Sequence, residues 1–382
     1  MGAARASARS DASEPVLIVG AGPAGLATAA CLTRRKIPYR LFEAGDMPAN
    51  TWRRLYDRLH LHTVRALSGL PGYPMPRRLP RYPSREQVVE YLDAYARHFG
   101  LVIETGVPVT RATPAEDGGW RVETPAGAQT GRALVSATGI FSTPLRARYP
   151  GEDSFQGQIA HSASYRNAAP FAGQRVLLIG VGNSGAEIAV DLAEHGAQPT
   201  ISIRAGANVV PRSLIGVPIQ RWAHVIGHLP VGLTQNVLAP VLLRQAVRRQ
   251  TQAGVPRPTV GILEKPGVPV IGLELLQHAR AGSIAIRPAV ERFTASGVCF
   301  VDGREEPFES VLVATGYRPT LAYFGDALPL DAAGLPRMDG VRSLDAPNLY
   351  FVGMYNNIRG TLFNIAHEAP LVAEALATGK AT

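Results

Sequence analysis

The stretch PVLIVGAGPAGLATAACLTRR, Pro15 to Arg35, is an apolar run that leads through Gly-x-Gly-x-x-Gly into a helical pattern. This order predicts a buried strand that turns sharply into a helix whose N-terminus faces phosphate groups. Gly20 permits the turn, Gly22 lets a pyrophosphate approach the backbone, and Gly25 lets helix and strand pack closely. The stretch therefore predicts a dinucleotide site at the start of an α/β domain.

An acidic residue follows this fingerprint at a suitable distance. Glu43 ends the next apolar run, YRLFEAG, about 20 residues downstream, where a carboxylate would accept hydrogen bonds from ribose hydroxyls. Trp52, in the following NTWRRL, either covers the cofactor or belongs to the ordinary core, and the sequence leaves both interpretations open.

The same pattern occurs a second time, in RVLLIGVGNSGAEIAVDLAEHG, residues 175–196. The residues of this second fingerprint are Gly180, Gly182, Asn183, Ser184 and Gly185. The strand after it, TISIR, ends on Arg204 instead of an acid, and a cation there suits the ribose phosphate of NADP and disfavours NAD. A surface arginine at a strand end is the alternative, and Arg212 in VVPRS is a second candidate.

Two further segments resemble each other: ALVSATGIFSTP, residues 133–144, and SVLVATGYRPT, residues 310–320. Each is an apolar strand that ends in Ala-Thr-Gly, and each follows a predicted meander, GGWRVETPAGAQTG or GVCFVDGREEPFE. We interpret them as the two crossings between domains. The fold class predicted is α/β, with two Rossmann-like, three-layer dinucleotide-binding domains, the NADP domain being inserted into a discontinuous FAD domain.

The expected domain boundaries follow from these positions. Residues 1–14 form a flexible tail, residues 15–165 the first part of the FAD-binding domain, and residues 286–382 its second part. Residues 166–285 form the NADPH-binding domain, with a helical insertion at about 216–254 that is either a substrate lid or a membrane-surface element. Two dinucleotides in one chain imply that tightly held FAD receives hydride from NADPH.

Composition narrows the class of protein. The chain of 382 residues is 46% hydrophobic with a net charge of +9, but its basic residues are scattered and predict no nucleic-acid partner. Cys31 and Cys299 lie in no CxxC pair, which fits a reducing compartment. No signal peptide and no membrane-spanning run is recognised, so we expect a cytoplasmic protein.

The segment between the two fingerprints, FQGQIAHSASYRN, shows neither strand alternation nor a helical stripe. Phe155-x-Gly157-x-x-x-His161-x-x-x-Tyr165 matches the FxGxxxHxxxY/F signature of class B flavin-dependent monooxygenases, and VATGY, residues 313–317, resembles their ATGY motif. The chain looks closest to the plant YUCCA-type branch through GVGNSGAEIAVDL, VPRSLIG, YDRLHLH and RPTVGILEKPGVPVIGLELL. The resemblance covers about residues 15–380.

The resemblance implies that this segment links the two domains near the nicotinamide and retains NADP after hydride transfer. A loop suits that role because the cofactor must swing and then be clamped. His161 then either contacts the cofactor or is structural, and Thr315 and Gly316 of the ATGY motif join the cofactor-binding set. Tyr165 and Arg166 stand where Baeyer–Villiger relatives carry Trp-Pro or Trp-Asp, which argues against ketone-to-ester chemistry.

The resemblance also indicates where oxygen would react. LHLHTVRALSGLPGYPMP, residues 59–76, aligns with a YUCCA-type segment, and His62 stands near the flavin position where heteroatom-oxidising relatives carry asparagine. A donor there would hydrogen-bond the flavin hydroperoxide or orient substrate, so His62 is a catalytic and cofactor-contacting candidate. The histidine pairs 60/62 and 224/228 each lack a third ligand, so no metal site is expected.

The C-terminal stretch NLYFVGMYNNIRGTLFNIAHEAPLV ends a strand at Gly353 and begins a helix after Gly360. In related flavoproteins such a helix N-terminus faces the pyrimidine end of the flavin, where its dipole stabilises the charge of the reduced form. Asn356, Asn357 and Arg359 are therefore candidate active-site residues, although the chain has GTLF where relatives carry GLLG.

The expected reaction is formation of a C4a-(hydro)peroxyflavin that oxygenates a small organic substrate with O₂. Retained NADP and an apolar cavity would protect this species from water. The resemblance favours oxidative decarboxylation of an aryl 2-oxo acid such as indole-3-pyruvate. The alternatives are N- or S-oxygenation of a small soft nucleophile, which His62 in place of asparagine disfavours, and a biosynthetic tailoring oxidation, including Baeyer–Villiger chemistry.

Two other classes are weighed against a monooxygenase. A disulfide-type flavin reductase needs a nearby cysteine pair, which Cys31 and Cys299 do not provide. A nicotinamide-binding module without catalysis would purify without flavin. The sequence does not decide whether the chain forms a homodimer.

Overall fold

The structure is a computed structural model, and it describes residues 13–226, 239–257, 269–357 and 359–378. The helices are α1 (Pro23–Arg34), α2 (Asn50–Arg54), α3 (Arg85–His98), α4 (Asn183–Glu194), α5 (Ile219–Ile226), α6 (Ala239–Gln252), α7 (Glu274–Ala281) and α8 (Thr361–Thr378). Short 3₁₀ turns lie at Arg65–Leu67, Glu152–Ser154, Ser162–Ser164, Ala169–Phe171 and Ala322–Ala327.

The strands, in chain order, belong to two large sheets and several small ones. They are β1 (Val16–Val19), β2 (Tyr39–Phe42), β3 (Arg111–Pro114), β4 (Trp120–Thr124), β5 (Gly127–Gly131), β6 (Ala133–Ser136), β7 (Thr143–Pro144), β8 (Gln158–His161), β9 (Arg175–Ile179), β10 (Gln198–Ser202), β11 (Val209–Val210), β12 (Ser213–Leu214), β13 (Val217–Pro218), β14 (Val270–Ile271), β15 (Ala285–Arg287), β16 (Val290–Phe293), β17 (Gly297–Phe300), β18 (Glu305–Pro307), β19 (Ser310–Val313), β20 (Tyr317–Arg318), β21 (Met338–Asp339), β22 (Arg342–Ser343) and β23 (Leu349–Phe351).

The first sheet joins the two ends of the chain. Its order is β2-β1-β6-β23-β22-β21, with β2, β1, β6 and β23 parallel. The strand β1 is buried along its whole length, as its unbroken apolar run VLIV requires of a parallel strand covered on both faces. Helices α1, α3 and α8 share one core with this sheet, and the meander β3-β4-β5 contributes to the core on the other face. The predicted discontinuous, three-layer domain is confirmed.

The second sheet repeats this plan. Its order is β15-β10-β9-β19-β8, and the strands are parallel. Helices α4 and α7 pack on one face, while the meander β16-β17-β18 packs on the other. Both meanders predicted from GGWRVETPAGAQTG and GVCFVDGREEPFE are present, and the insertion of one Rossmann-like domain into another is confirmed.

The second sheet takes in more of the chain than the expected range 166–285. Strand β8 pairs with β19, and the register places His161 opposite Val313, so residues on either side of that range belong to this sheet. The FQGQIAHSASYRN segment is thus partly an edge strand. Its residues are exposed or half-buried, which explains why no alternating pattern marked it as a strand. The crossings between domains lie within the two predicted Ala-Thr-Gly segments, where β7 pairs antiparallel with β20.

The expected insertion at 216–254 begins with the short strand β13 and is helical at Ile219–Ile226 and Ala239–Gln252. Helix α5 follows the hairpin β12-β13, and α6 packs beside β11. His228 lies outside the described residues. Within the described ranges, no helix is long and apolar enough to cross a membrane.

Candidate active site

The first glycine fingerprint forms the turn between β1 and α1. Gly20 has a φ of +100°, and a Cβ there would lie 2.7 Å from the carbonyl oxygen of Ala137. A Cβ on Gly25 would lie 1.8 Å from the carbonyl oxygen of Gly20. These two glycines are therefore required by the fold itself, because any side chain would collide with backbone.

Gly22 differs from its two neighbours in the fingerprint. Its φ of −75° suits any residue, and no described atom lies within 4 Å of the position of a Cβ. No described side chain caps the helix that begins at Pro23, so the first backbone N–H groups of α1 face the same space. The space that glycine leaves here fits a phosphate group close to the backbone.

Glu43 lies at the carboxyl end of β2, next to this turn. Its side chain is buried, with Oε2 accepting from the backbone N–H of Ala21 at 2.8 Å and Oε1 from that of Gly45 at 2.9 Å. Each carboxylate oxygen keeps a further acceptor position, so the contact with ribose hydroxyls stays a prediction. Trp52 in α2 is half-buried and packs against the core of the first domain.

The second fingerprint has the same stereochemistry. Gly180 has a φ of +109°, and its Cβ would lie 2.7 Å from the carbonyl oxygen of Ala314. A Cβ on Gly185 would lie 2.3 Å from the oxygen of Gly180, whereas no described atom lies within 4 Å of the Cβ position of Gly182. Both turns thus combine two glycines that the fold needs with one that leaves room for a ligand.

The other candidates of the second fingerprint have distinct surroundings. The side chain of Asn183 accepts from the N–H of Ile271 at 2.8 Å and donates to the carbonyl of Pro269 at 3.1 Å, which ties α4 to β14. Arg204 is exposed two residues after β10, at the edge of the sheet that carries the glycine turn. A contact of Arg204 with a ribose phosphate remains a prediction.

The two Ala-Thr-Gly segments hold the domain crossings together. The hydroxyl of Thr138 donates to the carbonyl of Thr320 at 3.2 Å, and that of Thr315 donates to the carbonyl of Leu145 at 2.5 Å. Each threonine therefore binds the segment that follows the other Ala-Thr-Gly motif. Gly316 has a φ of +99° with no described atom within 4 Å of its Cβ position, so space for a ligand adjoins this crossing.

The residues of the FxGxxxHxxxY pattern have separate roles. Phe155 packs edge-on against Phe293, and a Cβ on Gly157 would lie 2.6 Å from the carbonyl oxygen of Glu309. Tyr165 is buried and donates to Oδ2 of Asp191 at 2.6 Å. These positions anchor the segment to the second domain.

His161 is the member of this pattern that faces the domain crossing. Its Nδ1 accepts from the N–H of Ala163 at 3.0 Å, and its ring lies edge-on to Tyr317 with centroids 5.1 Å apart. Burial lowers the pKa of His161, although hydrogen bonds with the backbone of Gly316 and Leu145 oppose this shift. A neutral ring with Nδ1 as acceptor carries its proton on Nε2.

His62 meets the second domain directly. Its Nε2 lies 3.1 Å from Oε1 of Glu187 in α4, and the Tyr56 hydroxyl donates to Oε2 of the same carboxylate at 2.6 Å. Burial raises the pKa of Glu187, but hydrogen bonds from His62 and Tyr56 and the charge of Arg212 outweigh it, so the pKa lies below its usual range. A buried, ionised carboxylate therefore links the two domains at this histidine.

The C-terminal candidates surround the start of α8. Gly360 has a φ of +97°, and its Cβ would lie 2.5 Å from Cγ2 of Thr63, the neighbour of His62 in sequence. Gln220 in α5 accepts from the N–H of Val64 at 2.9 Å and donates to the carbonyl of Arg359. The loop that carries His62, the helical insertion and the Arg359 segment therefore converge.

A cavity of about 250 Å³ opens beside this junction. It is lined by Arg359, Asn357, Phe363, His224, His367 and Glu368, among others. The Phe363 ring lies edge-on to His224 with centroids 5.1 Å apart. The N–H of Gly353 donates to Glu368 at 2.7 Å, which fixes the end of β23 against α8. The cavity combines an aromatic wall with cationic and amide groups.

Comparison with known proteins agrees with this arrangement of two glycine turns and a linking motif. The sequence model of the flavin-binding monooxygenase-like family matches residues 14–333. The chain belongs to this family.

Individual relatives of this flavin monooxygenase point to the branch expected from sequence. Indole-3-pyruvate monooxygenase YUCCA1 of Oryza sativa subsp. japonica is 37% identical over 358 residues, which cover 88% of this chain and 86% of the relative. Indole-3-pyruvate monooxygenase YUCCA6 of Arabidopsis thaliana is also 37% identical, over 79% of this chain and 75% of the relative. The resemblance to class B monooxygenases, closest to YUCCA-type proteins, is confirmed.

Solved structures share the architecture. The flavin-containing monooxygenase from Stenotrophomonas maltophilia matches with a TM-score of 0.75 and 26% identity, over 97% of this chain and all of that one. Cyclohexanone monooxygenase from Rhodococcus sp. Phi1, bound to NADP⁺, matches with a TM-score of 0.71 over 95% of this chain and 84% of that one. At 17% identity, this second likeness shows the fold alone.

The flavin monooxygenase described here therefore uses FAD and NADPH and acts with O₂ on a small-molecule substrate. Its residues fit both cofactors, because each glycine turn leaves an open approach to uncapped helix N–H groups. Among the described residues, no group of three or more His, Cys, Asp or Glu could hold a metal ion.

Sequence reasoning about this flavin monooxygenase missed several buried polar residues. Asp191, Gln220 and Glu368 are buried, the Glu187 side chain is 13% exposed, and all four are hydrogen-bonded. A signal for two of them was available in GAEIAVDL, where acids at i and i+4 interrupt a helix of small and apolar residues. Two such acids on one helical face indicate buried partners, because isolated charges are costly in a core.

Proposed function

We propose that this monooxygenase converts an aromatic 2-oxo acid, such as indole-3-pyruvate, into the carboxylic acid one carbon shorter and CO₂. The observation that carries the proposal is the cavity at the start of α8. It places the guanidinium-bearing Arg359 and the amide of Asn357 beside the ring of Phe363. Such a set suits a ligand with a carboxylate at one end and an aromatic ring at the other.

The relatives support this choice of substrate. Two of them, each 37% identical to this chain, are named indole-3-pyruvate monooxygenases. The reaction consumes one 2-oxo acid, NADPH, H⁺ and O₂, and yields the shortened acid, CO₂, NADP⁺ and water, so that atoms and electrons balance. FAD, when bound, accepts hydride from NADPH and activates O₂.

The protein's own residues have distinct tasks in this proposal. Arg359 binds the substrate carboxylate, while Asn357, whose Oδ1 accepts from the N–H of Arg359 at 3.0 Å, keeps its amide N–H₂ group for the substrate. His62 moves or holds a proton through Nδ1. The contact between Gly360 and Thr63 supports this assignment because it brings the two segments together.

We also infer the cofactor contacts from the open glycine turns. The FAD site comprises Gly20, Gly22, Gly25, Glu43, Trp52, His62 and Gly353. The NADPH site comprises His161, Gly180, Gly182, Asn183, Ser184, Gly185, Arg204, Thr315 and Gly316. Apart from Trp52 and His62, these residues lie at the carboxyl ends of parallel strands or shortly after them, which supports both sets.

The cytoplasm is the compartment that we propose. The two cysteines, Cys31 and Cys299, are both buried and unpaired, as is common where thiols stay reduced. We propose no nucleic-acid partner, and sedimentation of the purified protein would decide between a monomer and a homodimer.

The test of the proposed function is a substrate panel on the purified flavoprotein. Indole-3-pyruvate and phenylpyruvate should each stimulate NADPH oxidation and yield the shortened acid, whereas a tertiary amine and a thioether should not. Arg359→Met should raise KM for the 2-oxo acids by about tenfold or more, because a charge-assisted contact is lost. The exposed Arg121→Met serves as a matched control. Oxygenation of the amine or thioether, with no acid formed, would overturn the proposal in favour of heteroatom oxidation.

A further inference from the structure

We propose that Glu187 is a positioning residue for His62: from the NADPH domain, it holds this FAD-domain imidazole with Nε2 donating to its carboxylate and Nδ1 as the unpaired ring nitrogen. The proposal rests on the proposed function in one respect only, which is that His62 takes part in oxygenation. The contact between the two side chains is independent of the substrate.

The geometry of the pair determines which nitrogen is available. Nε2 of His62 lies 3.1 Å from Oε1 of Glu187, a distance at which the ring donates to the carboxylate. Nδ1 is buried and has no hydrogen-bond partner among the described residues. When the ring is neutral, Nδ1 is therefore an acceptor, and when the ring is protonated, Nδ1 is a donor.

The carboxylate is itself held in place. Its Oε2 accepts from the Tyr56 hydroxyl at 2.6 Å, and Arg212 lies 3.7 Å from Oε1. The side chain of Glu187 is only 13% exposed, so it cannot turn to water without losing these partners. The side chain of Ser184, in the glycine fingerprint, also hydrogen-bonds with the Tyr56 hydroxyl. This bond connects the group to the second glycine turn.

Other charged or titratable groups face the pair from the neighbouring elements. Arg58 lines the same pocket as Glu187, and Arg212 is shared with Glu274, whose Oε1 lies 3.3 Å away. Tyr317, at the domain crossing, interacts electrostatically with Tyr56. Among these described groups, Glu187 is the one that lies within hydrogen-bonding distance of His62.

A matched control is available one helical turn along α4. Asp191 is also buried and is also bonded to a tyrosine hydroxyl, that of Tyr165, at 2.6 Å. Its other oxygen lies 3.2 Å from Nδ1 of His195 and not near His62. Asp191→Asn therefore removes an equally buried, tyrosine-bonded charge from the same helix without touching the proposed pair.

The test is an NMR determination of the His62 tautomer in the holoprotein labelled with ¹⁵N and ¹³C in histidine, with His62→Gln used to assign the signal. In the wild type, the ring nitrogens of neutral His62 should show the proton on Nε2. Glu187→Gln should keep this tautomer, because its amide oxygen can still accept from Nε2. Glu187→Ala should give a mixture of both tautomers.

The control separates positioning from a structural role. Asp191→Asn should leave the tautomer of His62 unchanged, even if it lowers the melting temperature. If Glu187→Ala lowers the melting temperature but leaves the His62 signals as in the wild type, the proposal is overturned.

A second readout joins the pair to the chemistry. Glu187→Ala should increase the fraction of consumed NADPH that appears as hydrogen peroxide, with anaerobic reduction of the flavin by NADPH changed less than about threefold. In a His62→Gln background, Glu187→Ala should not increase the hydrogen peroxide fraction further, because the two residues act as one unit. If no 2-oxo acid is oxygenated by the wild type, the proposed function fails, while the NMR result still decides on the pair.

Discussion

The hydroxyl of Tyr165 lies 2.6 Å from Oδ2 of Asp191, and both side chains are buried in the core of the second domain. The last residue of the FxGxxxHxxxY pattern is thus an anchor of the segment that links the domains. It holds the chain where strand β8 ends, and His161 stands at that strand end facing Tyr317.

Tyr165→Phe should lower the free energy of unfolding by about 1–3 kcal/mol, because the buried carboxylate loses a hydrogen-bond donor. Urea denaturation of the holoprotein measures this change. The control is Tyr39→Phe, since the Tyr39 hydroxyl has only an exposed contact of 3.4 Å with Thr33. Equal effects of the two changes would contradict the anchoring role.

Substitution of Gly22 or Gly182, the glycines that leave room for a ligand, should weaken the binding of one cofactor each. Gly182→Ala fits the backbone and meets no described atom, so the protein should fold and retain FAD, while its affinity for NADPH should fall by about tenfold or more. Gly22→Ala should instead weaken FAD retention. Flavin content and NADPH titration measure both, and loss of the same cofactor in both variants would refute the assignment of the two turns.

Gly185→Ala provides a contrast within one fingerprint. Its Cβ would lie 2.3 Å from the carbonyl oxygen of Gly180, so the turn between β9 and α4 must shift. We expect a loss of folded, soluble protein and not a selective loss of NADPH affinity. Thermal unfolding and the yield of soluble protein measure it, and a variant as stable as the wild type would show that the turn does not need this close approach.

Arg204 should distinguish NADPH from NADH. Arg204→Ala should lower kcat/KM for NADPH by about tenfold or more and leave NADH nearly unaffected, because only NADPH carries the ribose phosphate. Initial rates with each nucleotide measure the preference. Arg121→Ala, at an exposed position in β4, is the control. If the preference for NADPH over NADH is unchanged, another cation binds the ribose phosphate, and Arg212 is the next candidate.

Glu368 should make stability depend on pH. Burial raises the pKa of this carboxyl, although the N–H of Gly353 opposes the shift. Between the ordinary pKa of an unfolded glutamate, about 4.3, and the raised native value, the native state binds more protons, so stability falls as pH rises.

Glu368→Gln cannot ionise and removes this dependence. The unfolding free energy of the variant minus that of the wild type should increase as the pH rises above about 4.3, and then level off. Denaturation at a series of pH values measures it, with the exposed Glu90→Gln as control. A difference that stays constant with pH would show that burial does not raise the pKa of Glu368.

Much of the fold was predictable because its demands are local. The turns at Gly20 and Gly180 need positive φ, and the approach at Gly25 and Gly185 excludes a side chain, so the fingerprints report the structure directly. Strand β8 was not predictable from alternation, because an edge strand with exposed and half-buried residues has no apolar face. The expected start of the NADPH-binding domain at residue 166 therefore left β8 outside that domain.

The candidate site was predictable only in part. Motifs pointed to His62 and Arg359, but the contacts that place them come from residues distant in sequence. Glu187 contacts His62 across the domain boundary. Gln220, in the insertion, hydrogen-bonds to the backbone of both Val64 and Arg359. Periodicity within one element cannot reveal contacts of this kind, because they depend on how the domains dock.

The most direct measurement is the yield of shortened acid per NADPH consumed, with indole-3-pyruvate as substrate, compared with and without catalase. Catalase is essential because free hydrogen peroxide decarboxylates 2-oxo acids without an enzyme. The account predicts a ratio close to one that catalase does not change. If catalase abolishes the acid while NADPH consumption continues, the protein releases peroxide and does not oxygenate the 2-oxo acid, and the proposed function is contradicted.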